Sequence, residues 1–164
     1  MARKRGGPSV IRIGLIAGLI GIVLIGAGVL AFFADQASRQ TPFNVDIFPG
    51  AETWGERYVT DTSRNVFYKV PNNTVEEVAA FYQQKLHDHA GSTQENCVRI
   101  PPSGAYAITD SNSIPYQYVC MFDRSGFRTT QFTRVLVYPG AYNSDPYLNT
   151  EGMAVIKYEQ QWQP

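Results

Sequence analysis

From Ile13 to Phe33 the chain runs for 21 residues (IGLIAGLIGIVLIGAGVLAFF) without a charge or a strongly polar side chain. Wound as an α-helix at about 1.5 Å per residue, this run reaches roughly 31 Å, the hydrocarbon thickness of a bilayer. An all-soluble chain is excluded. A cleaved signal peptide shares the basic start, but its apolar core is about 7–15 residues and ends at a small-x-small site. Here the run is longer, and Phe32 and Asp35 spoil the nearest such sites, before Ala34 and after Ala37. No cysteine lies close enough for lipid attachment. The reading is a retained signal-anchor over 13–34, with the lipid bilayer as its first partner and Arg12 snorkelling at its edge.

Charge placement gives the orientation. The 14 basic and 14 acidic residues cancel, yet Arg3, Lys4, Arg5 and Arg12 all precede the apolar run and no acid does. Ten basic residues against 14 acidic ones remain after it. A basic tail over 1–12 followed by Asp35 beyond the helix predicts a cytoplasmic N-terminus and an extracytoplasmic, periplasm-type C-terminal part. A mildly acidic folded part argues against nucleic acid as a partner. Within the apolar run, Gly14, Gly18, Gly21 and Gly28 form a small-residue stripe that lets a second helix approach closely.

Residues 35–42 are polar and aperiodic and read as a linker, leaving 43–164 for one domain. Of the 21 aromatic residues, 19 follow the apolar run, which favours a β-rich core. One helix is marked by the capping box Thr74/Glu77 and the apolar face Val78, Ala79, Tyr82 and Leu86, giving 75–89 with Gly91 as its stop. Strand-like runs lie at 57–61, 66–70, 96–100, 116–122, 128–138 and 153–162, with turns expected at 62–65 and 123–126. The order ββαββββ predicts an α+β domain, an antiparallel sheet with its helix on one face. The segment 101–115 reads as a long loop. Phe48-Pro49-Gly50-Ala51 and Tyr138-Pro139-Gly140-Ala141 echo each other and read as two similar turns with Pro-Gly at the centre.

The stretch Phe48-Pro49-Gly50-Ala51-Glu52, the hairpin after it and Val75-Glu76-Glu77-Val78-Ala79-Ala80-Phe81-Tyr82 together resemble small bacterial envelope domains. Those have a "YPGA" start and a "VaaFY" helix behind a membrane or lipid anchor. The likeness spans about 40 of the 164 residues. It implies a fold and a compartment, and carries no catalytic residues.

Cys97 and Cys120 are the two cysteines, both beyond the membrane run, where an oxidising compartment permits a disulfide. A thiol-redox enzyme would need C-x-x-C. His87 and His89 stand at i and i+2, pointing to different faces of a helix, so they read as a solvated helix end and not a metal site. The oxygen-rich stretch 143–152 lacks the order of a calcium loop. G-x-S-x-G, a P-loop, G-x-G-x-x-G, H-E-x-x-H and C-x-x-C-H are all absent. No cofactor, metal or catalytic residue is assigned, and an enzyme is not expected. Trp54, Tyr106, Tyr142, Tyr147 and Trp162 fall in or beside loops, where amphipathic rings serve contacts. The expectation is a non-catalytic accessory or assembly subunit of a membrane complex, of the respiratory or photosynthetic electron-transfer kind. The alternative is an envelope module that binds a small ligand, glycan or peptide through its aromatic loops.

Overall fold

The computed structural model describes residues 10–90, 96–110, 113–126 and 129–163. The basic residues Arg3, Lys4 and Arg5, the helix stop Gly91, Glu95 and the first residue of the expected fifth strand, Arg128, lie outside them. The chain divides between Ser38 and Arg39 into two compact units.

The first unit is a single helix, α1 (Val10–Ser38), 29 residues long and apolar enough to cross a membrane. It outruns the apolar segment at both ends. Residues 35–38, expected in the linker, continue the helix because Asp-Gln-Ala-Ser contains no glycine or proline to stop it, and Ser38 Oγ donates to Asp35 O at 2.7 Å. Polarity ends a membrane span; it does not end a helix. At 100° per residue, Gly14, Gly18, Gly21 and Gly28 fall within an arc of about 80°. Nothing lies within 4 Å of a methyl group placed on any of the four.

In the second unit, the described residues form one antiparallel sheet with a helix on one face. Its elements are β1 (Glu52–Val59), β2 (Ser63–Val70), α2 (Val75–Ala90), β3 (Val98–Ile100), β4 (Gln117–Asp123), β5 (Phe132–Pro139) and β6 (Ala154–Gln161). The spatial order is β1-β2-β6-β5-β4-β3, so the last strand lies at the centre, paired over its full length with both β2 and β5. Its consecutive buried residues Ala154, Val155 and Ile156 suit a strand covered on both faces.

Three boundaries differ from the expected ones by three residues or more, for local reasons. β1 starts at Glu52 because Gly55, at φ +70°, sits in a bulge between Trp54 and Tyr58 that breaks the alternation. The first turn closes early, since Thr60 Oγ1 accepts the amides of Thr62 (3.3 Å) and Ser63 (2.9 Å), which places 63–65 in β2. β5 starts at Phe132, after a separate bridge between Gly126 and Thr129.

α2 has the capping box: Thr74 N donates to Glu77 Oε2 at 2.8 Å, and Glu77 N donates to Thr74 Oγ1 at 3.2 Å. The bond from Thr74 N to the charged carboxylate, followed by the contribution of the Thr74 hydroxyl, holds its pKa below the ordinary value. Val75, Val78, Tyr82 and Leu86 face the sheet and pack on Cys120, Phe122, Val135, Val137, Ile156 and Tyr158.

Ahead of β1, residues 41–48 run as an extended strap along the helix side of the sheet, fixed by buried polar side chains. Gln131 Nε2 donates to Thr41 O at 2.7 Å, and Thr133 Oγ1 and Gln160 Nε2 both donate to Phe43 O. Val45 N donates to Tyr158 Oη at 2.6 Å, which donates back to Val45 O at 3.0 Å. Phe48 N donates to Tyr82 Oη at 3.2 Å. Tyr158→Phe removes both partners of Val45 in a buried site. An orphaned buried amide costs about 1–3 kcal/mol. Urea unfolding should show a loss of that size, and a loss below about 0.5 kcal/mol would mean that the strap is not held there.

Candidate functional site

The strap enters at the end of the sheet where Gln131 and Gln160 lie. At the other end, about 20 Å of strand away, β1 begins, β5 ends and β6 begins. Two long connections meet there, 101–116 and 140–153. The first is tied down by Arg99, whose guanidinium donates to Pro101 O (2.5 Å) and Gly104 O (2.8 Å) and lies 4.5 Å from the Tyr116 ring centre. Inside it, Tyr106 N donates to Pro115 O at 2.7 Å, and Ser113 Oγ accepts the amides of Thr109 and Asp110. The second loop spends its oxygens on its own backbone. Asn143 Oδ1 accepts from Asp145 N, Asp145 Oδ1 from Tyr147 N, and Asn149 Oδ1 from the amides of Asn143 and Glu151. These bonds explain the oxygen-rich composition without a cation.

Between the loops lies a cleft of about 500 Å³ walled by Ile108, Pro115, Pro139 and Tyr142, with Asp110 and Glu151 among its polar groups. A smaller cavity of about 170 Å³, bounded by Trp54, Ile114, Tyr138 and Val155, shares Ser113 and 139–141 with it. Burial, helped by the charge of Glu159, pushes the Tyr138 hydroxyl up to about 12, so it stays neutral. Trp54 Nε1 donates to Tyr147 O at 3.2 Å, joining β1 to the second loop. On the two loops that wall this cleft Ile108 is 71% exposed, Tyr142 65% and Tyr147 86%, with Tyr106 and Leu148 also open. Five apolar or aromatic side chains held on well-bonded loops make a built surface.

Of the five aromatic residues expected to make contacts, Trp54, Tyr142 and Tyr147 therefore meet at one end, and Tyr106 rides on the neighbouring loop. Trp162 does not join them. It follows β6 at the strap end, with its amide on Thr62 O at 2.9 Å. Ile108, Ile114 and Leu148 complete the surface and have no periodic signal, since loop residues are brought together only by the register of β4, β5 and β6.

Cys97 and Cys120 are bonded, with a Cα separation of 4.2 Å. The bond fastens the short edge strand β3 beneath α2, where Cys97 N also donates to Gln83 Oε1 at 2.7 Å. The histidines diverge. His87 Nε2 lies 2.6 Å from Gln83 Nε2, whereas the His89 ring sits against Phe43 (4.9 Å) and Phe122 (5.9 Å). His89 is thus half-buried among aromatic rings and not part of a solvated helix end, because the strap folds back over it.

Among the described residues lining the cleft there is no histidine, cysteine or lysine, and Ser113 Oγ donates to Asp110 Oδ1 at 3.0 Å. Chemically the arrangement offers apolar area, two carboxylates and ordered backbone, which suits binding. Comparison of the chain with known protein families, curated proteins and solved structures finds no match.

Similar turns were expected at the two Pro-Gly pairs, and only one is a turn. Gly50 has φ +81° and Ala51 N bonds Phe48 O at 3.1 Å. Gly140 instead extends the end of β5, donating to Met153 O at 2.8 Å, and glycine is required there by the close approach of Thr150.

Proposed function

We propose that the chain is a single-pass membrane protein with its N-terminus in the cytoplasm. Its C-terminal domain then serves outside as a non-catalytic accessory or assembly subunit of a membrane protein complex. A respiratory or photosynthetic complex is the class of host that fits an anchored, motif-free domain. The observation that carries this reading is the loop surface of Ile108, Tyr142, Tyr147 and Leu148, exposed, rigidly bonded and placed at the end of the sheet opposite the strap's entry. Exposed aromatic anchors beside a shallow cleft are what a protein interface uses at its centre. The glycine stripe of α1 supplies a second contact within the bilayer in the same reading.

The test is the double variant Ile108→Asp/Tyr142→Asp, with Val59→Asp as a control on the exposed outer edge of β1. After mild-detergent extraction, the loop variant should leave the high-mass band on a native gel and the control should stay in it. If both remain in the band, the loop surface is not the contact. The cleft volume favours one second reading, a small ligand held against Tyr142, since about 300–1,000 Å³ is the range of small-molecule sites. Specific stabilisation by a ligand, lost in Tyr142→Asp, would decide for it.

A further inference from the structure

On the helix side of the sheet, α2 covers β4 and β5 and the strap covers part of β6. The β1–β2 hairpin is left with a cavity of about 310 Å³ between itself and the strap. Its walls are apolar (Ile47, Val66, Tyr68), and its polar groups include Asn44, Arg57 and Arg64, with no carboxylate among them. Arg64 is oriented by neutral partners only: Nε donates to Gln160 Oε1 at 2.6 Å and Nη2 to Asn44 Oδ1 at 2.7 Å. Gln160 is 2% exposed and is itself locked onto the strap at Phe43 O. The guanidinium plane is therefore fixed while its charge is left uncompensated.

Arg57, in the bulged stretch between Trp54 and Tyr58, lines the same cavity as Arg64. Among the described residues, Lys69, Lys85, Arg134 and Lys157 have carboxylate partners, and Arg57 and Arg64 have none. Two like charges around one small, half-enclosed space repel, and an anion between them turns that repulsion into attraction. Guanidinium forks match the planar oxygens of carboxylate and the oxygens of phosphate.

We propose that this cavity binds a single anionic group, carboxylate or phosphate, carried on a short apolar stem. Arg57 and Arg64 clamp the anion, and Ile47, Val66 and Tyr68 cover the stem. The site shares no residue with the loop surface and stands whether or not that surface is an interface.

The experiment uses the full chain in nanodiscs of phosphatidylcholine, titrated by calorimetry with phenyl phosphate and with benzoate. One saturable site is expected for at least one of them. Arg57→Gln, which removes no contact of the fold, should weaken it at least tenfold. Lys69→Gln removes the same charge from the opposite face of the hairpin and should stay within twofold of the parent. Nanodiscs containing phosphatidylglycerol separate the sources. Loss of the free-probe site there supports a lipid phosphate as occupant, and an unchanged site supports a soluble anion. The proposal is overturned if neither probe saturates and phosphatidylglycerol gives no Arg57-dependent stabilisation, or if Lys69→Gln weakens binding as much as Arg57→Gln.

Discussion

Replacing Cys97 and Cys120 together by alanine and valine is expected to lower the stability of the C-terminal domain by about 3 kcal/mol. The bond closes a loop with a sequence separation of 23 residues, and in the chain-entropy model a loop of that size contributes about 3 kcal/mol through the unfolded state. Valine at 120 and alanine at 97 avoid placing a hydroxyl where Cys120 is fully buried. The loss should be felt first at one edge. β3 has three residues and three register pairs with β4, too few to hold an edge strand alone. Urea unfolding should move its midpoint down by about 1.5 M, for a slope near 2 kcal/mol/M. Amide exchange should speed up at 98–100 before it does in β5 and β6. A midpoint within about 0.3 M of the parent would show that the bridge is incidental to the fold.

The second large effect is expected at Gly140. A Cβ there would lie 1.9 Å from Thr150 O and 2.7 Å from the Thr150 carbonyl carbon. Neither backbone can retreat freely. Gly140 N is bonded to Met153 O (2.8 Å), Thr150 N to Ala141 O (3.1 Å) and Ala141 N to Thr150 Oγ1 (3.1 Å). Gly140→Ala must break some of these contacts as well as relieve the overlap. Overpacking of about 1–3 kcal/mol plus about 1 kcal/mol for a lost bond gives roughly 3 kcal/mol. Gly50→Ala is the internal reference: φ is +81° but nothing lies within 4 Å, so only the left-handed penalty of about 1–2 kcal/mol applies. Thermal melts should rank the two in that order. Equal melts, or a worse Gly50→Ala, would contradict the close approach. Because 141–152 hangs from this junction, Gly140→Ala should also lose the high-mass band.

What the sequence made legible was whatever local chemistry specifies. The apolar run, the capping box at Thr74 and Glu77, the face Val78–Tyr82–Leu86 and the antiparallel character of the sheet are each written within a few neighbouring residues. The strap is not. Gln131, Thr133 and Gln160 carry no local sign of burial, and become buried partners of Thr41 and Phe43 only across separations of 90 to 117 residues. The central place of β6 is likewise a choice between sheet edges that no local pattern encodes, although its Ala154-Val155-Ile156 run is a hint. The two Pro-Gly pairs show the same limit from the other side. One dipeptide serves a turn at Gly50 and a close crossing at Gly140, because the partner segment and not the dipeptide decides. At the loop surface Trp54, Tyr142 and Tyr147 are legible as loop aromatics, Ile108, Ile114 and Leu148 carry no local signal, and Trp162 stands at the far end of β6, bonded to Thr62 O.

The most direct test of the central claim is extraction of the native membrane in mild detergent, separation on a native gel and mass spectrometry of the band that contains this chain. Co-migration with a defined set of proteins at a fixed ratio is expected, in a band that the Ile108→Asp/Tyr142→Asp variant leaves. A chain that migrates alone at every detergent strength would contradict it.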